Sequence, residues 1–251
     1  MRRTYVLAAV SIVLIVAWTA SAAPLALARA TSISSHIAAF PRITAPRDEV
    51  SARINAALAP LDLAALRVAA ECLGEARRAG AAGGDWGRTV VVTMKGPRLL
   101  SFLVTDSYFC GGAHPDVEAW PLVFDLSTGQ PVDWTRFLPR ALLGKATTDI
   151  DPDTAGRISL ASPGLHTLYM AGYGAQARVV DPECRDVMAD SDAAVASIWP
   201  DAANGGLMVD FDVPHVVAAC AVPVVIPVAH LKALGASPDL TAALTAARAS
   251  R

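Results

Sequence analysis

The stretch Tyr108–Trp134, YFCGGAHPDVEAWPLVFDLSTGQPVDW, decides how this chain folds. Gly111 and Gly112 suit a backbone that needs positive φ or a close approach, and Pro115 opens an extended segment directly afterwards. The stretch therefore reads as a tight bend feeding a strand over 117–126. A turn at Ser127-Thr128-Gly129-Gln130 follows, whose Gly129 tolerates positive φ, and a short returning strand over 131–133 closes a hairpin. His114, Asp116 and Glu118 fall at i, i+2 and i+4, a spacing that places all three on one face of a strand. With Tyr108 they form the candidate ligand-binding set, and Gly111, Gly112 and Gly129 are the candidate structural positions.

Upstream, 88–95 and 98–105 are rich in β-branched and aromatic residues and are joined by Gly96-Pro97, the clearest hairpin in the chain. Before it, Val50, Ile54, Ala57 and Leu58 recur at helical spacing until Pro60. A second helix over 62–78 carries Leu63, Leu66, Ala69, Cys72, Leu73 and Ala76, and ends in Arg77, Arg78 and Gly80. Residues 31–43 read as a lead-in or edge strand. Downstream, 135–145 predicts a short helix interrupted at Pro139.

Near the C-terminus, 206–213 alternates Leu207, Val209, Phe211 and Val213 with Met208, Asp210 and Asp212, a half-buried strand with its polar face in solvent. Pro223 and Pro227 push 222–228 to a sheet edge, and a tail helix from about Ala229 ends the fold. Helices first and hairpins later predict an α+β fold, with an N-terminal helix pair packed on an antiparallel sheet built from hairpins. Residues 146–203 carry weaker signals. Asp149, Asp151 and Asp153 read as a solvated acidic turn, since Thr154 stands where a calcium loop needs glycine. His166, Tyr169 and Tyr173 fit either an exposed aromatic loop or a buried cluster with satisfied hydroxyls.

The chain divides into a leader or anchor over 1–30, a helix and hairpin part over 31–106, a packed α+β part over 107–238, and a tail over 239–251. Met-Arg-Arg, a long uncharged run and the small-residue sites Ala20-Ser21-Ala22 and Ala26-Leu27-Ala28 follow the order of a secretory signal peptide. The run is also long enough for an uncleaved anchor, the sole expected contact with membrane. Either way the expected location is extracytoplasmic, periplasmic or secreted. The formal net charge of −2, without a basic block, argues against nucleic acid as a partner. Four cysteines in an exported chain favour two disulfides. Three pairings are open, and Cys72–Cys110 with Cys184–Cys220 is preferred because each closes a moderate loop. No C-x-x-C pair is present, which argues against zinc at these cysteines, and no metal or cofactor is assigned.

A family resemblance emerges from Cys110-Gly111-Gly112-Ala113-His114, then Phe124–Val132 and Phe137-Leu138. A second block, Phe211–Ala218 with Val225-Ile226-Pro227-Val228, carries it to the C-terminal end. Over roughly 104–234 the chain resembles a bacterial extracytoplasmic domain of unknown function. That domain forms the C-terminal part of the lysozyme-sensing anti-sigma-V factor and accompanies some peptidoglycan deacetylases. Here Pro115 follows the histidine where the family often has glycine. The resemblance implies an envelope-facing α+β module, with a lysozyme-like protein or peptidoglycan as partner.

Three functions follow as expectations. The first is an exported cell-envelope binding module without catalytic residues, whose exposed Asp116, Glu118, Asp181 and Glu183 complement a cationic partner. The second is a metal-dependent or acid/base hydrolase acting at His114, Asp116 and Glu118; no G-x-S-x-G or H-E-x-x-H pattern supports it. The third is a structural subunit of an envelope complex anchored by Trp86, Trp120, Trp134 and Trp199.

Overall fold

A computed structural model describes residues 25–81, 83–148, 157–176, 182–190 and 195–249. The apolar leader before residue 25, the Asp149 to Asp153 turn and Asp181 lie outside the described residues. Four short strands come first: β1 (Ala26–Leu27), β2 (Ser32–Ser34), β3 (Ile37–Ala38) and β4 (Ile43–Ala45). Strand β1 pairs with β4, and β2 and β3 form the margin of the first large sheet, the edge position expected for this segment.

One helix, α1 (Glu49–Arg78), stands where two were expected. Asp48 caps it by accepting the Ser51 N–H at 2.8 Å, Glu49 sits in its first turn and Arg77 and Arg78 in its last, all matched to the helix dipole. Pro60 lies inside the helix without ending it. Its ring and Ala56, whose carbonyl loses a partner, are both on the exposed side, so water can satisfy the lost bond. The buried stripe Ile54, Leu58, Leu61, Ala65, Ala69, Cys72, Ala76 runs unbroken past it. Packing along that stripe overrides the local preference of the proline.

The next strands are β5 (Asp85–Lys95), β6 (Leu99–Phe109), β7 (Asp116–Asp125) and β8 (Gln130–Pro131). They complete a six-stranded sheet of order β2-β3-β5-β6-β7-β8. Hairpins build most of it, but β3 joins β5 in parallel, so the sheet is mixed rather than wholly antiparallel. Side chains alternate across it. Leu100, Phe102, Val104, Trp120, Leu122 and Phe124 meet α1 and Phe40, while Met94, Leu99 and Val123 belong to a second core on the opposite face.

That second core is enclosed by the rest of the chain. A 3₁₀ turn at Trp134–Arg136 and α2 (Arg140–Leu143) flank Pro139, the interruption that the sequence predicts. Then come β9 (Lys145–Thr148), β10 (Ile158–Ala161), α3 (Pro163–Gln176), α4 (Pro182–Ala189), β11 (Ala196–Asp201) and β12 (Gly206–Phe211). A 3₁₀ helix at His215–Cys220, β13 (Val224–Pro227), α5 (Val228–Ala233) and α6 (Pro238–Ala249) complete the chain. The five strands form an antiparallel sheet of order β13-β12-β11-β10-β9, with proline-bearing β13 at an edge. In place of one tail helix there are two, and α6 buries Leu240, Ala243, Leu244 and Ala247.

Two buried ionic groups tie these layers. Arg88 grips Asp106 with Nε at 2.7 Å and Nη2 at 3.0 Å, and the Trp120 Nε1–H donates to the same carboxylate at 3.0 Å. Asp125 accepts from Arg98 and Arg136, each at 3.1 Å, and from Ser127 N–H and Oγ–H. Both groups obey the rule that a buried charge is paired and hydrogen-bonded.

Both preferred disulfides are present, Cys72–Cys110 and Cys184–Cys220. The first pins the loop after β6 to α1, and Gly111 (φ 89°) passes so close that an added Cβ would lie 2.8 Å from the Ala76 Cα. Gly129 (φ 70°) is equally constrained, with the Val50 carbonyl 2.9 Å from a built Cβ, whereas Gly112 has open space around it. Of the two readings of the tyrosines, burial holds. Tyr169 and Tyr173 lie on α3 and donate to the Val222 and Cys220 carbonyls at 3.0 and 2.7 Å.

The outer edge of β7 is blunted. Val132 N–H donates to the Val123 carbonyl, so odd-numbered residues of β7 direct their backbone polar groups outward. On that side Pro121 has no N–H, and the Val117 N–H is taken by its neighbour's Asp116 Oδ1 at 2.8 Å.

Candidate functional site

A cleft of about 430 Å³ opens where the exposed first half of β7 approaches the second sheet. Asp116, Val117, Glu118 and Ala119 are consecutive, so the edge of β7 rather than one face forms this wall, and Tyr108 joins it from β6. The opposite wall is a polar row on the second sheet. Ser159 pairs with Ser197 and Ser197 with Asp210, so the three side chains stand on one face across β10, β11 and β12. Two residues further along β11 and β12 the same face carries buried Trp199 and Met208. The row is a polar strip at the end of an apolar face.

One ion pair and one histidine–carboxylate hydrogen bond join the walls. Arg157, just before β10, pairs with Glu118 and lies 5.4 Å from the Trp120 ring centre. His215, at the start of the 3₁₀ helix, donates from Nδ1 to Asp116 Oδ1 at 3.0 Å. Since a carboxylate only accepts, this bond fixes the proton on Nδ1. His114 stacks on His215 with ring centres 4.0 Å apart, and its own Nδ1–H donates to the Pro115 carbonyl at 3.0 Å.

The carboxyl groups differ in setting. Asp116 is held below the usual carboxylate range, first by the Val117 N–H and then by His215. Asp210 is pushed up to about 6, chiefly by burial and further by neighbouring Asp212, while the Phe211 N–H, donating at 3.0 Å, partly offsets this. Tyr108 is raised by burial and then by Asp116, Glu118 and Asp106.

The structure brings Tyr108, Asp116 and Glu118 to the cleft but not His114, which precedes β7 instead of belonging to it. It braces His215 from outside. Sequence reasoning missed Arg157, Ser159, Ser197, Asp210 and His215. Asp210 was legible as the polar residue of an alternating strand, but that face passes from exposed Asp212 through half-buried Asp210 to buried Met208 instead of lying wholly in solvent. Among the described residues no group of three or more His, Cys, Asp or Glu is placed to hold a metal ion. The tryptophans at 86, 120, 134 and 199 are all buried and present no exposed anchor.

No protein-family model matches this chain, and no curated protein matches it. Among solved structures it is similar to a member of the DUF3298 family from Bacteroides fragilis. The identity is 14%, the TM-score 0.53, and the match covers 88% of this chain and 98% of that one. The likeness shows the fold. At that level the expectation of an α+β fold holds. The two disulfides point to an oxidising, extracytoplasmic setting. No helix among the described residues is long and apolar enough to cross a membrane.

Proposed function

We propose that this chain is an exported, envelope-facing binding module that recognises a lysozyme-like protein or peptidoglycan through the cleft beside β7. The observation that carries the reading is the convergence of Tyr108, Asp116 and Glu118 on a polar cavity of ligand-binding size, about 300–1,000 Å³ being usual. The disulfides support export, and the resembled domain's place in a lysozyme-sensing factor supports this partner class. A rim bearing Asp116 and Glu118 also suits a cationic protein, since charge complementarity speeds encounter and selects partners. Titration calorimetry of the purified protein against lysozymes, and co-sedimentation with peptidoglycan, test the reading. Binding that weakens in Glu118→Gln supports it, and no binding to any of them at high micromolar concentration overturns it.

A second reading, acid/base hydrolysis, is favoured by one specific observation. Asp116 orients the His215 imidazole in the same cleft as Asp210, and the two carboxyl groups are pushed in opposite directions, Asp116 down and Asp210 up. Turnover of peptidoglycan fragments that is lost in His215→Gln would establish it over binding alone.

A further inference from the structure

We propose that the cleft takes a protonated primary amine on a hydroxyl-bearing carrier of amino-sugar size, with Asp210 as the counter-ion of the amine and Ser197 beside it facing a hydroxyl. This deepens the reading of the cleft as a ligand site and rests on it.

The acidic groups of the cleft divide into those with a partner and one without. Glu118 is matched by Arg157, and Asp116 by His215. Asp212 stands at the exposed end of the cleft and Asp210 lies within. Among the described residues Asp210 accepts a hydrogen bond only from the backbone N–H of its own neighbour Phe211, and no ion-pair partner reaches it. A carboxylate taken from water without a cation is costly, and a native fold usually supplies one. Here the space that a cation would need is a cavity lined by two serines, a tyrosine and Arg157.

Those neighbours narrow the choice. A bare metal ion needs several oxygen or nitrogen ligands converging on one point, and no such group is assembled among the described residues. An ammonium group needs one strong carboxylate and a few acceptors, and hydroxyls beside it need groups that donate and accept in turn, as serine and tyrosine do. An N-acetylated or neutral sugar could use the hydroxyl row but would leave Asp210 without its counter-ion.

Binding of a cation favours the ionised form of Asp210, so affinity should fall as pH drops through about 6. The other charged or titratable groups around it are Asp212 beyond β12, Tyr108, Asp116 and Glu118 on the first sheet, Arg157 and His215, and, on the far face of β12 against Phe211, Tyr169 of α3. Asp116 and Glu118 carry their own partners, which limits their part in this pH dependence.

The test is NMR titration of the intact protein with glucosamine, N-acetylglucosamine and glucose at pH 7.5 and 5.0. The expected result is saturable glucosamine binding with shifts at Ser197 and Asp210. The two neutral sugars should bind at least tenfold more weakly, and affinity should drop at least threefold at pH 5.0. Asp210→Asn, which keeps the shape of the side chain, should lose at least tenfold for glucosamine while its spectrum stays folded. Equal binding of all three sugars overturns the amine assignment, as does unchanged affinity in Asp210→Asn or no glucosamine binding. If the protein still binds lysozyme or peptidoglycan in those cases, the binding-module reading survives and only the ligand class falls.

Discussion

Asp210→Asn should make the protein more stable at neutral pH. Asp210 ionises near 3.8 in an unfolded chain and at about 6 in the fold. A carboxyl whose folded value is raised binds its proton more tightly when folded, so stability is lost as pH rises through the interval and the full penalty is present above 6. At about 1.36 kcal/mol per pKa unit, that interval amounts to roughly 3 kcal/mol. Asparagine has nearly the same shape and no charge to desolvate, and its amide oxygen can still accept the Phe211 N–H. Urea unfolding of both proteins at pH 7.5, 6.0, 5.0 and 4.0 reads the difference directly. The variant should gain about 2–3 kcal/mol at pH 7.5, the gap should narrow below 6 and close near pH 4. Comparing the two curves cancels the other titrating groups. A variant that is less stable at pH 7.5, or a gap that does not change with pH, refutes the placement of this carboxylate in a poorly solvated wall.

Three further outcomes follow from the fold. Pro60→Ala replaces an exposed ring and restores an amide inside α1, and should raise stability by about 1–3 kcal/mol in chemical denaturation. Arg88→Met leaves Asp106 buried with only the Trp120 N–H, and should cost about 3–5 kcal/mol, seen as a Tm drop without loss of the disulfides. Cys184→Ala with Cys220→Ala opens a loop of 36 residues and should cost about 4 kcal/mol by loop entropy, measured against the intact protein under non-reducing conditions.

What the sequence made legible was the local grammar. Gly111 and Gly129 announced turns that only glycine fits, Gly96-Pro97 announced the long hairpin, and cysteine spacing favoured the pairing found. Pro60 misled because a breaker rule sees the lost hydrogen bond but not the seven-residue apolar stripe that holds both halves in one helix. Half of the site was visible because Asp116 and Glu118 sit in one strand. The other half was hidden by distance: His215 is 99 residues from Asp116, and Arg157 is 39 from Glu118. Alternation along β12 gave the side on which Asp210 lies, but no period tells whether a polar side meets water or another sheet.

The blunted margin of β7 also bears on how the protein can be read by others. An open strand beside a ligand groove invites a passing peptide to dock as an additional strand, a sequence-blind mode that main-chain bonds drive. Pro121, and an Asp116 side chain folded onto the Val117 amide, remove donors from that ladder. Crowded copies of the molecule then have little to zip together along this border.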